Sequence, residues 1–428
     1  MDRIKDFGFL AILLILSNFL FMSSDFDIVI VGGGMVGASL ACALRGAGLR
    51  VAVVEAVPLK SEAQPSYNER TIALAYGSRR IFEGVGVWDE IERRGATPIE
   101  RIHVSHRGYF GATRLAAGEL RLPALGYVVE NRVLGAALMQ ALADATEVTW
   151  HCPATVEEIR IEADGARLRV EGTAGSIELS ARLVVGADGA HSAVRRLLGI
   201  EAARTDYAQV AVVATVAAGL PHANTAYERF TASGPLAALP MRDNRCAIVW
   251  SARADEADTI LGWTDAEYLA QLQQRFGDRL GRLAAPGART KYPLALTRVP
   301  QTNTARMVLI GNAAHTVHPV AGQGFNLGLR DAAALAEVLV AAGKAGEDIG
   351  AAAVLQRYAV WRRRDTRATE IFTDGLVRLF SNESRLLALL RGSGLVAIDL
   401  VPPLKRRLLR MTSGLAGRLP RLARGLPL

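Results

Sequence analysis

A glycine-rich turn between a buried strand and a helix constrains the fold of this chain more than any other feature. Residues 27–31 (DIVIV) form a largely β-branched run, which is typical of a parallel strand buried on both faces. The turn Gly32-Gly33-Gly34-Met35-Val36-Gly37 follows at once, and the small apolar residues Met35–Arg45 predict a helix. Residues 51–54 predict a second buried strand. The result is a βαβ unit of about 30 residues, the size of a dinucleotide-binding element.

Each glycine of this turn has its own predicted role. Gly32 permits the tight turn, Gly34 lets the backbone approach a pyrophosphate, and Gly37 lets the helix pack closely on the strand. The phosphates would lie at the helix N-terminus, where unpaired N–H groups favour negative charge. Glu55 ends the second strand, 18 residues after Gly37, and a carboxylate there accepts hydrogen bonds from both adenosine ribose hydroxyls. The same carboxylate disfavours a 2′-phosphate, and therefore NADP, at this site.

Two further motifs follow predicted short strands. The strand at 183–186 leads into Gly186-Ala187-Asp188-Gly189-Ala190-His191-Ser192, with Arg195 beyond it, and Ser192 is predicted to cap a helix. The strand at 307–311 leads into Gly311-Asn312-Ala313-Ala314-His315 and then into the Gly-rich loop 318–328. Such a loop can present backbone N–H groups to an electron-rich ring edge.

The remaining chain predicts a second, sheet-rich unit and a helical end. Stretches of alternating polarity, such as 210–216 and 246–251, predict strands within residues 203–292. Residues 331–342 predict an Ala/Leu-rich helix, and the chain from Trp361 is helical with a break at Pro402-Pro403. We therefore expect an α/β fold in which a discontinuous three-layer, Rossmann-like dinucleotide domain is interleaved with a mixed-sheet substrate domain. The expected bounds are 25–97, 129–202 and 293–360 for the first domain, 98–128 and 203–292 for the second, and 361–428 for C-terminal helices.

Cysteine and histidine usage gives no metal site. Cys42, Cys152 and Cys246 are far apart and form no CxxC, so a disulfide framework or zinc site is disfavoured and a reducing compartment fits. His315 and His318 are three residues apart, but no acid or cysteine adjoins them in sequence. A structural or cofactor-facing role for these histidines is therefore favoured over a metal pair.

Positive charge is concentrated at the C-terminus. The net charge of the chain is +8, and residues 391–428 hold eight Lys or Arg and one acid, Asp399. A basic tail mixed with Leu, Val and Met is typical of a membrane-surface contact, and a solvated helical face is the alternative. Nucleic-acid binding is disfavoured because this tail has no aromatic residue to stack on bases. The run Arg362-Arg363-Arg364 could bind anions, but a solvated helix face is the favoured interpretation.

An apolar stretch, Gly8 to Met22, precedes the first strand and follows Arg3 and Lys5. It is shorter than the roughly 20 residues that a spanning helix needs. Although it resembles the core of a signal peptide, no A-x-A cleavage site separates it from the nucleotide-binding strand. We interpret it as an upstream extension or misassigned start, with Met22 as the alternative start, then as a short anchor, and only last as an export signal.

Taken in this order, the three motifs resemble the class A flavoprotein aromatic hydroxylases, the family of p-hydroxybenzoate hydroxylase. The resemblance runs from about residue 27 to residue 378 and implies FAD as cofactor, with NAD(P)H and O₂ as co-substrates. It implies that the flavin supplies the reactive chemistry, so no catalytic side chain is assigned. The implied cofactor contacts beyond the first motif are Asp188 and Arg195 to FAD and the nicotinamide, Asn312 to the ribityl chain, Gly322, Gln323, Gly324, Asn326 and Leu327 to the isoalloxazine, and Arg70 and Arg132 near the FAD.

The pattern GNAAHTVHPVAGQGFNLGLRD (311–331) is most similar to the ubiquinone-biosynthesis branch of that family. The stretches 102–108 and 228–240 share that similarity, although Asn312 stands where the family usually has Asp. The branch implies hydroxylation of a polyprenylated phenol, with 2-polyprenyl-6-methoxyphenol as the first candidate, by a cytoplasmic enzyme at the inner membrane surface and with other pathway enzymes as possible partners. The alternatives are a sister hydroxylase at another ring position, a flavin-dependent prenyl reductase, and a non-enzymatic GDI-like prenyl-binding protein.

Overall fold

The computed structural model describes residues 24–58, 70–380 and 385–428, with the side chains of the last range described from residue 390. The predicted apolar extension from Gly8 to Met22 lies outside these residues. The strands are β1 Phe26–Val31, β2 Val51–Val54, β3 Thr71–Ala75, β4 Ala96–Ile99, β5 Arg101–His106, β6 Ala112–Ala116, β7 Gly126–Glu130, β8 Val148–His151, β9 Ala154–Ile161, β10 Ala166–Gly172, β11 Gly175–Gly186, β12 Ala203–Ala217, β13 Thr225–Thr231, β14 Gly234–Pro240, β15 Arg245–Arg253, β16 Thr290–Arg298, β17 Asn303–Thr304, β18 Met307–Leu309 and β19 His315–Thr316.

The α-helices alternate with these strands in the first half of the chain and dominate its end. They are α1 Met35–Leu44, α2 Tyr76–Gly84, α3 Trp88–Gly95, α4 Asn131–Ala143, α5 Ala193–Leu197, α6 Ala257–Gly262, α7 Asp265–Phe276, α8 Gln323–Lys344, α9 Ala352–Phe380, α10 Arg385–Leu400 and α11 Pro402–Thr412.

The first sheet has the predicted buried, parallel centre. Its strand order is β17-β18-β11-β1-β2-β8, and β1 runs parallel to both β2 and β11. Alternate residues of β1 enter two different cores: Ile28 and Ile30 pack with α1, α4 and α8, while Val29 and Val31 pack with β9 and β10. Because both faces are covered, the strand is apolar throughout. The predicted three-layer arrangement is confirmed.

The second sheet is mostly antiparallel and follows the order β19-β16-β12-β15-β14-β13-β5-β6 among the described residues. One of its faces packs on α7 through Tyr268, Leu272 and Phe276. A small sheet, β3-β7-β4, lies between the two large ones. The boundary expected at residue 293 falls inside β16, whose pairing with β12 from Thr290 to Arg298 places these residues in the second sheet.

A buried ionic cluster joins α8 to α9. The Asp331 carboxylate accepts hydrogen bonds from the Arg362 Nε, the His315 Nε2 and the Gly311 backbone N–H, at 2.7, 2.7 and 3.1 Å. Arg362 is 4% exposed and also pairs with Asp365, so its interpretation as a solvated residue is wrong. The error arose because helical periodicity alone did not reveal which of three consecutive arginines turns toward the neighbouring helix. Arg363 and Arg364 are exposed, as expected.

The C-terminal helices are confirmed, with the break between α10 and α11 at Val401 followed by Pro402. Within the part of the chain that the structure describes, no helix combines the length and apolar character that crossing a membrane requires.

Candidate active site

One cavity of about 1830 Å³ brings together the three predicted motifs from distant parts of the chain. It opens at the carboxyl ends of β1, β2 and β11 and continues across one face of the second sheet. In parallel sheets this edge is where ligands bind, because the chain leaves each strand there in a loop. The first motif contributes Gly32 and Gly34, the second Asp188, and the third the loop from Pro319 to Asn326.

The first motif is held by backbone contacts that exclude side chains. Gly32 has a φ of +103°, and a Cβ at this position would lie 2.6 Å from the Ala187 carbonyl oxygen. A Cβ on Gly37 would lie 1.9 Å from the Gly32 carbonyl oxygen. Only glycine therefore permits α1 to begin so close to β1, which agrees with the predicted packing role of Gly37.

Glu55 follows β2 and faces the same cavity. It is 8% exposed, and its carboxylate oxygens accept the Gly33 N–H at 2.7 Å and the Val57 N–H at 2.8 Å. These two bonds fix the carboxylate beside the glycine turn. Because an ionised carboxylate offers about four acceptor positions, it retains capacity for hydroxyl groups of a ligand.

The second motif brings a partly satisfied carboxylate to the cavity wall. One oxygen of Asp188 accepts the Val194 N–H at 3.0 Å, while Oδ1 is buried and has no hydrogen-bond partner among the described residues. Ser192 caps α5 by accepting the Arg195 N–H at 3.1 Å, as predicted. The Arg195 guanidinium donates to the carbonyls of Ala190 and Ala313, and so ties the second motif to the third.

The third motif forms a loop whose shape is fixed by Asn326. Its amide oxygen accepts from the Ala75 N–H and the Ser78 hydroxyl, and its amide nitrogen donates to the Ala73 and Gly322 carbonyls. Two successive residues of this loop have left-handed backbones, Ala321 with a φ of 58° and Gly322 with a φ of 62°. A non-glycine residue in this region carries strain that surrounding contacts must offset, which is common at binding sites.

Eleven of the fourteen predicted cofactor residues line this cavity. They are Gly32, Gly34, Glu55, Arg70, Asp188, Arg195, Asn312, Gly322, Gln323, Gly324 and Asn326.

Gly37, Arg132 and Leu327 do not line the cavity. Gly37 packs beneath the turn, and Leu327 is fully buried in the protein interior. Arg132 has a side chain that is 60% exposed and pairs with Glu130. Tyr292 lines the cavity, and the centroid of its ring lies 4.6 Å from the Arg70 guanidinium carbon.

The two histidines of the third motif have structural surroundings. His315 bonds to Asp331, as described above, and His318 accepts the Val320 N–H at 3.1 Å through Nδ1. Burial lowers the pKa of His318 to about 4, so this ring is neutral near pH 7. No group of three or more His, Cys, Asp or Glu suited to a metal occurs in the described ranges 24–58, 70–380 and 385–428.

The residues around the dinucleotide end of the cavity fit an FAD. The glycine turn leaves space at the start of α1 for a pyrophosphate, and Glu55 offers acceptors for ribose hydroxyls. Asp188 also lines this space, and its Oδ1 is a buried acceptor without a hydrogen-bond partner among the described residues.

The sequence did not predict which residues line the apolar half of the cavity. The second sheet contributes Val104, Phe230 and Leu239, and the C-terminal helices contribute Leu395 and Leu408. The alternation within the strands indicates one apolar face, but only the packing of the two sheets decides that this face borders the dinucleotide site. Nothing in the sequence placed the C-terminal helices over the same space.

Comparison with known proteins agrees with this geometry. A family described as an FAD binding domain matches residues 25–370. The crystal structure of p-nitrophenol 4-monooxygenase from Pseudomonas putida superposes with a TM-score of 0.76, covering 92% of this chain and 98% of that one. At 22% identity this likeness establishes the fold. The fold, the site and the matched family thus define an FAD-binding protein.

Curated relatives narrow the class. Ubiquinone hydroxylase UbiL of Rhodospirillum rubrum is 40% identical, over 94% of this chain and 93% of its own length. The 3-demethoxyubiquinol 3-hydroxylase of Escherichia coli is 36% identical, over 91% and 98%. The human mitochondrial ubiquinone biosynthesis monooxygenase COQ6 is 31% identical, over 91% and 92%. The chain belongs to the FAD-dependent ubiquinone-biosynthesis hydroxylase family. Membership of a hydroxylase family argues against two alternatives raised from the sequence, a flavin-dependent prenyl reductase and a non-enzymatic GDI-like prenyl-binding protein.

Proposed function

We propose that this protein hydroxylates the ring of a polyprenylated phenol in ubiquinone biosynthesis, with 2-polyprenyl-6-methoxyphenol as the first candidate substrate. The observation that carries the proposal is the continuity of the cavity from the FAD motifs into an aliphatic space. Its volume of about 1830 Å³ exceeds the roughly 300–1,000 Å³ of an ordinary small-ligand site. The excess supports a cofactor and a lipid-tailed substrate bound together.

In the proposed reaction the protein would position the cofactor and the substrate and keep water from the reacting atoms. Bound FAD, reduced by NAD(P)H, would supply the activation of O₂. Gly32 and Gly34 would admit the pyrophosphate, and Glu55 and Asp188 would accept hydroxyls of the ribose and ribityl groups. Asn326 would hold the loop that faces the flavin ring. The aliphatic lining would exclude water from the reacting end of the cavity, which limits wasteful release of H₂O₂.

The remaining predicted contacts are part of the same proposal. Arg70, Arg195, Asn312, Gly322, Gln323 and Gly324 would contact the cofactor from the cavity wall. Arg132 and Leu327 would act only through neighbouring residues, because neither borders the cavity.

The ring position is tested by product analysis. The purified holoprotein is supplied with NAD(P)H, O₂ and short-chain prenylated phenols, and the hydroxylated carbon is identified by mass spectrometry and NMR. Gene deletion should then cause the matching unhydroxylated methoxyphenol to accumulate. The name of the Escherichia coli relative, a 3-demethoxyubiquinol 3-hydroxylase, favours a second candidate, hydroxylation of the ring carbon that lacks a methoxy group. Accumulation of a demethoxyubiquinol would support that candidate and refute the first.

We also propose that α10 and α11 contact a bilayer that contains anionic lipids. Leu390, Leu400 and Leu404 are 59, 72 and 49% exposed, and Arg406 and Arg407 are exposed beside them. Leu390 itself and other residues of the same helices line the aliphatic cavity, so this surface adjoins the space proposed for the prenyl chain. Exposed leucines beside basic residues favour the interface of an anionic bilayer.

Vesicle flotation tests this contact. Replacing Leu400 and Leu404 by glutamine should lower binding to phosphatidylglycerol vesicles at least tenfold, because a fully buried leucine contributes roughly 1.5–3 kcal/mol. Leu220→Gln is the matched control, since Leu220 is 52% exposed in the turn that follows β12 and does not line the cavity. Equal flotation of both variants would refute the proposed surface.

A further inference from the structure

Glu228 has a position in the cavity that the proposed function leaves unexplained. It lies in the middle of β13, and among the described residues it is the only carboxylate that the second sheet contributes to the cavity lining. The other acidic lining residues are Glu55 and Asp188, at the dinucleotide end, and Glu157, in β9 of the first sheet. The proposed FAD contacts therefore do not explain why a carboxylate lies in the aliphatic half of the cavity.

The surroundings of Glu228 are apolar. Its cross-strand neighbours are Val104 on β5 and Ala237 on β14, and Ala226 and Phe230 precede and follow it on the same face of β13. No side chain among the described residues forms an ion pair with it. It is partly accessible because it borders the cavity, yet burial in protein raises its pKa to about 7. Placing an unpaired carboxyl in apolar surroundings costs free energy. A carboxyl with a shifted pKa in a cavity is therefore a candidate for a functional role.

The flavin-facing loop lies next to these neighbours. Val104 and Phe230 belong to the same hydrophobic cluster as Val320, which is part of the third motif. Phe230 stacks on Phe380 of α9 with ring centroids 3.6 Å apart, so the cluster is closed from the helical side. Glu228 is therefore located where the aliphatic half of the cavity meets the loop proposed to hold the flavin ring.

We propose that Glu228 accepts the proton of the substrate's phenolic hydroxyl as the ring is hydroxylated. This inference rests on the proposed phenolic substrate. The phenol O–H bond breaks, a carboxyl O–H bond forms, and the electron pair left on oxygen makes the ring more nucleophilic toward the oxygen that the FAD-dependent reaction transfers. As the new C–O bond forms, the C–H bond at that carbon breaks, and its proton restores the phenol hydroxyl when the ring becomes aromatic again. NAD(P)H and O₂ are the reductant and oxidant of that reaction, and the second oxygen atom leaves as water. The carboxyl then returns its proton to solvent.

The pH dependence has a defined sign. Glu228 is a competent acceptor only when ionised, so hydroxylation should rise as pH increases through about 7. The charged or titratable groups that neighbouring elements bring toward this region are His106 of β5, Arg391 of α10 and Asp374 of α9; β14 contributes none. Burial lowers the pKa of His106 to about 4, the Arg391 guanidinium donates to the Leu379 carbonyl, and Asp374 accepts a hydrogen bond from the Tyr207 hydroxyl. Of the two carboxyl and imidazole groups whose pKa burial shifts here, Glu228 and His106, only Glu228 titrates near pH 7.

The test compares holoenzyme variants over pH 5.5–9 with a short-chain prenylated phenol and with its O-methyl ether. Measured quantities are product formed per NAD(P)H oxidised, H₂O₂ released, and bound FAD by absorbance. In the wild-type protein, coupling should rise through pH 7 with the phenol. Glu228→Gln should lower the product formed per NAD(P)H at least tenfold, remove its pH dependence and keep FAD bound. Glu228→Asp, which keeps a carboxylate, should retain part of the product yield and of its pH dependence. The ether, which has no proton to lose, should react poorly with every variant.

Glu171→Gln is the matched control, because Glu171 is an exposed carboxylate of β10 outside the cavity. Wild-type coupling without a pH inflection, or a Glu228→Gln variant with wild-type coupling, would overturn the role of Glu228 while leaving the proposed function intact. FAD-loaded wild-type protein that hydroxylates no prenylated phenol would instead overturn the proposed function and this inference with it.

Discussion

Replacing Arg362 by methionine removes one charge from the cluster that joins α8 to α9. Asp331 has a side chain that is only 2% exposed, and Arg362 is its only cationic Arg or Lys partner among the described residues. Burial opposes its ionisation, yet the His315 and Arg362 charges together hold the pKa of Asp331 below its usual value. Methionine fills a similar volume without a charge, so Asp331 would keep only His315 and the Gly311 N–H.

The magnitude follows from the geometry. Removing one partner of a buried ion pair costs about 3–5 kcal/mol, because the remaining charge stays desolvated. Since two hydrogen bonds to Asp331 remain in the variant, we expect the free energy of unfolding to fall by about 3 kcal/mol, the lower end of that range. The adjacent Arg363 is exposed, and Arg363→Met should change stability by less than about 0.5 kcal/mol.

Urea denaturation of both variants measures this difference. The double variant Asp331→Asn, Arg362→Met should lose less than the sum of the single losses, because the uncompensated charge is gone. Equal stabilities of Arg362→Met and Arg363→Met would refute the assignment of a buried ionic cluster. At low pH the stability difference between the wild-type protein and Arg362→Met should shrink. Asp331 has a lowered pKa in the folded protein, so it stabilises the fold only while it is ionised.

Two further perturbations address the cofactor. Glu55→Ala should weaken FAD binding to the apoprotein roughly 10- to 150-fold, because hydrogen bonds to a charged acceptor contribute about 1.5–3 kcal/mol; Glu55→Gln, which keeps one acceptor, should lose less, and unchanged affinity in a fluorescence titration would exclude the ribose role. Gly324→Val should abolish hydroxylation without unfolding the protein, since its first side-chain atom would meet only Val317, at 3.9 Å, before entering the cavity. Gly343→Val, at an open position of α8 outside the cavity, is the control, and a fully active Gly324→Val enzyme would show that the ring lies elsewhere.

Periodicity and glycine spacing predicted the elements of the dinucleotide domain closely. β2 has the predicted bounds, β1 begins one residue earlier than expected, and α1 ends one residue sooner. These features are local, because a strand buried on both faces must be apolar throughout and a tight strand-to-helix turn needs glycine. The same local reasoning failed at Arg362, whose environment is set by a helix 31 residues away in sequence.

The sequence by itself determined the FAD motifs, their order and the family resemblance, because each motif depends on backbone conformations that few residues allow. Tertiary structure alone decided that the C-terminal helices close the aliphatic half of the cavity and that Glu228 faces it. It also decided that Arg132 and Leu327 stand apart from it. Which face of a strand or helix borders a shared cavity depends on how separate sheets and helices pack together, and that relation joins residues hundreds of positions apart.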